Sequence, residues 1–316
     1  TCFTFLFTVF CNAQLGNNWC YNDSTWINFN SNNATSLVGG VATYTNTYSS
    51  FNLNICSSIS DENGNLLFYT NGFSVWNKQH QIMTNGNNLS YSYGATSLGS
   101  DLSTILPFPN NDSLYYVFYV NSVDGWLNGR VQYAIVNIKK QQGLGEVVQQ
   151  NNFVSNENLG AFTIVKATNT SYWLICKHAQ TNKFSSFLIS NTGISSQPII
   201  SDFSQISLLL TGYTYALIFK PSPDGNHLVA YPIGVIGGAR SVYILDFNKL
   251  NGQISNPHLL QYPNISGGTV FGMAFSPNSK KVYLSWRVTD GTRIYQYNIA
   301  NINPTSPFII TDTALV

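Results

Sequence analysis

Five times along this chain a short apolar run enters a tight turn, and a second, more aromatic run leaves it. The turns centre on Asp61, Asn110, Asn169, Asp224 and Asn278, which lie 49 to 59 residues apart. A self-similar interval of this size marks propellers or solenoids, whose units cannot bury their apolar faces alone. The spelling of the turns explains their recurrence. Proline presets φ, an Asp or Asn side chain folds back onto the backbone, and Gly64 and Gly225 fill places that favour positive φ. The runs that follow are rich in Tyr, Phe, Trp, Val and Ile, the residues that pack on a pleated surface.

A third strand is expected after each pair, over residues 73–76, 130–138, 184–189, 241–247 and 293–299. A fourth is expected over 146–149, 198–201, 258–261 and 307–311. Four antiparallel strands per unit make a propeller blade. Residues 19–21, 25–29 and 36–38 read as the last three strands of a partial blade at the N-terminus. The expected fold is therefore an all-β β-propeller with five full blades and a partial one, six- or seven-bladed when complete. A solenoid is the competitor, but its usual units are shorter or helical.

Composition excludes several classes of function. Only 9% of the 316 residues are charged, 44% are hydrophobic, and the net charge is +1. There is no basic stripe for nucleic acid and no polybasic run for anionic lipid. Lys139-Lys140 and Lys280-Lys281 read as solvated turn residues. Residues 1–13 look like the end of a secretory signal, with Cys11-Asn12-Ala13 at a small-residue cleavage site and the basic start missing. A buried N-terminal strand is the alternative for that segment. Residues 14–316 form the propeller domain, which is expected to continue past Val316. No segment is long and apolar enough to span a membrane. Cys20, Cys56 and Cys176 remain after the signal and cannot all pair. Cys20–Cys56 is the one pairing considered, against three small buried hydrophobes. No Cys/His cluster suggests a metal site.

The run from Asp61 through Trp76 and His80 to Gly86 resembles a family of secreted propeller proteins of Bacteroidota. So do Asn17-Asn18-Trp19, Gly143 to Val147, and Phe275-Ser276-Pro277 with Tyr283-Leu284-Ser285. The resemblance implies export, a place at the cell surface or in the medium, and association with type IX secretion and gliding motility. It further implies downstream PKD-like modules and a sorting domain. It supplies no catalytic residues.

No reactive constellation can be assembled from spacing. His80, His178, His227 and His258 fall in different repeats, and His227, just past a turn, reads as a surface residue. Glycoside hydrolysis needs two facing carboxylates, and 13 acidic residues, several of them in turns, leave a thin supply. Asp61-Glu62-Asn63-Gly64 reads as a turn, with an ion site as the alternative. Ligands of propellers usually meet the loops between second and third strands and between outer and inner strands. There the sequence places Trp126, His178, Tyr213, Tyr215, Arg240, Arg287 and Asp290, aromatic and cationic anchors of the kind interfaces use. Each could equally be a packed or solvated loop residue. The expected function is a non-catalytic surface module that binds glycan or protein, with no cofactor. A hydrolase with a site in the central funnel and a structural spacer are the alternatives.

Overall fold

Adjacent residues along the strands are apolar in both directions. Ile105 and Leu106, Val117 and Phe118, Leu174 and Ile175, and Leu228 and Val229 are all buried. Neighbouring strand residues point to opposite faces, so such runs need a sheet covered on both sides. The computed structural model describes residues 18–20, 25–28, 35–38, 57–89, 103–122, 129–179, 181–204, 216–233, 242–260, 269–288, 291–299 and 308–311. Among them are six successive antiparallel sheets and no α-helix.

The first sheet comprises β1 (Asn18–Cys20), β2 (Thr25–Asn28) and β3 (Thr35–Val38). The second comprises β4 (Ser57–Ser60), β5 (Leu66–Thr70) and β6 (Val75–Asn77). The third has β7 (Ser103–Pro107), β8 (Leu114–Ser122), β9 (Gly129–Asn137) and β10 (Glu146–Phe153). In the fourth, β11 (Leu159–Thr168), β12 (Ser171–His178) and β13 (Lys183–Ser190) are followed by β14 (Gly193–Ile194) and β15 (Ile199–Asp202), both paired to β13. The fifth has β16 (Ala216–Pro221), β17 (His227–Ile233), β18 (Val242–Phe247) and β19 (Ile254–Leu260). The sixth has β20 (Thr269–Phe275), β21 (Lys281–Val288), β22 (Gly291–Asn298) and β23 (Phe308–Thr311).

Strands follow one another up and down within each sheet. First strands approach across sheets, as β4 does to β7, β11 to β16, and β16 to β20. The Ile105 N–H of β7 donates to Ser57 Oγ of β4 at 3.2 Å. The apolar clusters lie between sheets rather than within them. Ile59, Phe68 and Val75 meet Ile105, Val117 and Ala134. Leu106, Phe118 and Val131 meet Phe162, Leu174 and Phe187. Val165, Trp173 and Ile175 meet Phe219, Leu228 and Leu245. Val229, Ile244 and Leu260 meet Val282, Leu284 and Tyr297. The second to sixth sheets are blades packed face to face in succession, and the fold is a β-propeller of four-stranded antiparallel blades.

The second blade departs from the pattern. Its third strand starts later than expected because Asn71 Oδ1 accepts from the Phe73 and Ser74 N–H groups, holding residues 71–74 in a turn. The outer place is taken by residues 82–86. Trp76 bridges Ile82, Met83 N donates to Val75 O, and Val75 N donates to Gly86 O. Cys176 is free and buried in β12. The side chain of Cys20 and all of Cys56 lie outside the described residues, as do the expected signal segment and cleavage site.

Candidate functional site

The repeated turns all gather at one end of the blades, and their polar groups are occupied there. In the fifth blade Ser222 Oγ donates to Asp224 Oδ1 at 2.5 Å, and that oxygen accepts from Asn226 N. Ser222 Oγ accepts from His227 N. The sixth blade repeats this residue for residue, with Ser276, Asn278, Lys280 and Lys281 in the same roles. Burial alone would raise the Asp224 carboxyl, but the donors from Ser222 and Asn226 hold it below its ordinary value. Gly225 has φ +71°, which a side chain there would strain.

Other turns solve the same problem with shifted residues. Asp61, rather than a serine, closes its turn through Asp61 N to Asn65 O, and its carboxylate accepts from the Asn63 and Asn65 N–H groups. Gly64 adopts φ +82°. In the third blade Asn110 takes φ 55° while the neighbouring Asn111 caps the Ser113 and Leu114 N–H groups. In the fourth, Asn169 lies in a tight turn capped by Thr168 Oγ1.

Crevices separate consecutive turns. One of about 540 Å³ lies between residues 107–112 and 169–172. Another of about 530 Å³ lies between residues 164–169 and 221–225 beside Lys249. Many of their polar groups are committed to holding the turns and blades together. Lys249 Nζ donates to Asp224 O, Lys249 O accepts from Trp173 Nε1 at 2.8 Å, and Asp224 N donates to Ser279 Oγ of the next blade.

The opposite end carries the connections between second and third strands. Of the residues expected to bind there, Trp126, Tyr213, Tyr215, Arg240 and Asp290 lie outside the described residues. Arg287 falls on β21 rather than in a loop, with Thr269 and Thr292 as its backbone partners. His178 ends β12, where its Nε2 lies 2.7 Å from Ser185 Oγ. Burial, opposed by Glu157, lowers its pKa below the usual imidazole value. Beside it Lys177 is 4% exposed, and its ammonium donates to the carbonyls of His178, at 2.5 Å, and Thr181. Burial pulls Lys177 down to about 7.

The remaining histidines sit apart. His227 pairs with Asp246 at 3.1 Å and is only part-exposed, and His80 Nδ1 meets Tyr69 OH at 3.2 Å. Among the described residues no three His, Cys, Asp or Glu side chains gather as a metal site would need. Nor is any helix among them long and apolar enough to cross a membrane.

Strand residues at this end went unnoticed in the sequence. In the third blade Asn121 Nδ2 donates to Gln132 Oε1 at 3.0 Å, and the Arg130 guanidinium lies 5.3 Å from the Phe153 ring centroid. Two polar residues closing otherwise apolar strands were the available signal.

No family model matches the chain, and no curated protein does. Among solved structures the chain is similar to a candidate 6-phosphogluconolactonase from Bacteroides fragilis, at 12% identity over 91% of this chain and 89% of that one, with TM-score 0.40. It is also similar to a candidate dipeptidyl aminopeptidase IV from Bacteroides ovatus, at 15% identity over 90% and 43% of the two chains, TM-score 0.43. A third is an exo-beta-1,3-galactanase from Phanerochaete chrysosporium, at 10% identity over 71% and 52%, TM-score 0.39. Likenesses this distant do not bear on what the chain does.

Proposed function

We propose that this propeller is a non-catalytic binding module, exported to the cell surface or the medium, that presents its loop end to a glycan. The observation that carries this reading is the contrast between the two ends. At the turn end, Asp and Asn side chains are committed to their own turns, and the Asp224 backbone N–H to Ser279 Oγ of the next blade. At the loop end, Asn121 Oδ1 accepts no hydrogen bond, and the half-exposed Phe73 and Phe153 offer aromatic surface. Carbohydrate recognition combines aromatic faces for sugar C–H groups with amides for hydroxyls, and a chain with few charges suits a neutral ligand. The resemblance to exported propellers supports the surface location and the further domains. The test is a glycan array probed with the full chain. Binding to defined saccharides is expected, and a blank array with retention by a protein partner instead would overturn the glycan assignment.

The hydrolase reading has one observation in its favour, the 2.7 Å contact between His178 and Ser185, which has the spacing of a base and a nucleophile. Ser185 is 1% exposed, so its hydroxyl is reached only when the side chains around it give way, the same condition that the buried Asn121 and Gln132 amides set for a ligand. Covalent labelling of Ser185 by an alkyl fluorophosphonate would replace the binding-module reading with a hydrolase.

A further inference from the structure

We propose that the loop end of the third blade is a subsite for a neutral, hydroxyl-bearing sugar ring, formed by the Asn121–Gln132 amide pair and the Arg130–Phe153 pair. This rests on the glycan reading above and gives it a place and a chemistry.

The geometry follows from register. Arg130 lies directly across from Asn121 in the β8–β9 pairing, and Phe153 lies across from Gln132 in the β9–β10 pairing. Directly opposed residues share a face, as do residues two apart on one strand. All four side chains therefore stand on one face of the sheet, at the end away from the turns. It is the face that packs Val117, Ala134 and Val136 against the second blade, so the subsite sits above a dry apolar floor.

The chemistry follows from what the amides leave over. Asn121 is 7% exposed and Gln132 is 3% exposed. Their mutual bond satisfies one donor and one acceptor, while Asn121 Oδ1 is buried with no partner. Turning both amides over leaves the same surplus on exchanged residues, a free carbonyl on one and a free NH₂ on the other. Buried polar atoms without partners are rare enough to call for an explanation.

Two neighbouring hydroxyls on a pyranose answer both needs, one donating to the carbonyl and the other accepting from the amide NH₂. The Phe153 ring, 50% exposed, is placed to take the apolar C–H face of the same sugar. Arg130 lies over that ring, where its guanidinium edge can donate to hydroxyl or ring oxygens. A carboxylate on the sugar would be drawn to Arg130 but would meet the free carbonyl at the amide pair, so the amides favour a neutral ring and the acidic polymer is the competing outcome.

The test is affinity electrophoresis of the full chain through gels holding soluble β-1,3-glucan, β-1,4-galactan, α-mannan or polygalacturonate. The wild type, Phe153→Ala and the double variant Asn121→Leu/Gln132→Leu are compared. Retardation of the wild type by at least one neutral polymer is expected, with about tenfold weaker affinity in each variant. The double variant should fold and melt close to the wild type, because removing both amides together leaves no orphaned partner, so a loss of retardation reads on binding rather than on folding. Should the double variant fail to fold, Phe153→Ala alone decides, since half of that ring is in solvent. Neutral polymer bound equally by all variants overturns the subsite and leaves the glycan reading standing. Binding of polygalacturonate alone overturns the neutral chemistry, and no binding to any polymer overturns both.

Discussion

Replacing Gly252 with alanine tests how tightly the blades are wedged. Gly252 closes the turn between β18 and β19, with its N–H donating to Asn248 O at 2.8 Å and φ at +76°. A Cβ there would stand 2.7 to 2.9 Å from three carbons of the Trp173 six-membered ring. That ring cannot easily retreat. Trp173 belongs to the preceding blade, is 6% exposed, and is tied by its indole N–H to Lys249 O in the same turn. The left-handed backbone costs an alanine about 1–2 kcal/mol, and forcing a methyl into a packed seam costs about 1–3 kcal/mol. We expect Gly252→Ala to lower stability by about 2–4 kcal/mol, a drop in Tm on the order of 5–10 °C, read by circular dichroism melting. In a Trp173→Leu background the steric part should vanish, leaving about 1–2 kcal/mol for the backbone alone. An equal loss in both backgrounds, or a Tm within about 1 °C of wild type, would refute the wedge.

Three further outcomes follow from the same structure. Ser201 Oγ, buried in β15, accepts from Ile254 N and Gln253 Nε2 of the next blade at 2.9 Å each, so Ser201→Ala should lower stability in urea by about 1–2 kcal/mol; a loss near zero would mean the Ile254 N–H finds another acceptor. Burial brings the Lys177 pKa from 10.5 down to about 7, so between those values the unfolded chain holds a proton that the folded chain has released. Stability should therefore rise as pH climbs from about 7 towards 10.5, and Lys177→Met should flatten that part of the profile in urea titrations. Burial also raises the Cys176 thiol well above its usual range, so Ellman's reagent should leave Cys176 untouched in the native protein at pH 8 and modify it on unfolding.

Much of the architecture was legible because turn chemistry and strand chemistry repeat together. The 54-residue step from Asp224 to Asn278 carries an entire hydrogen-bond pattern with it. Where turn length changes, the capping role slides to a neighbour, as from Asn110 to Asn111, and composition alone does not reveal the slide. Two of the outer strands, β10 and β19, run longer than the sequence suggests for a related reason. The polar run Gln149 to Asn152 lies within β10 and Pro257 within β19, because an edge strand has one side in solvent and tolerates both. The candidate site was less legible. Loop-end aromatics and arginines were sought in connections, yet the amide that carries the subsite, Asn121, stands near the end of a strand. There a lone Asn or Gln reads as ordinary edge polarity until its partner across the sheet is known.

Because each apolar cluster is contributed half by one blade and half by the next, no blade owns the interior that keeps it folded. A fragment cut after Phe153 would leave Leu106, Phe118 and Val131 facing water, and one beginning at Leu159 would bare Phe162, Leu174 and Phe187. Shortening this protein is thus a different operation from trimming domains off a string. Each excision uncovers a fresh greasy wall on both pieces, and the pieces would be expected to find each other, or another copy, before either lasted alone.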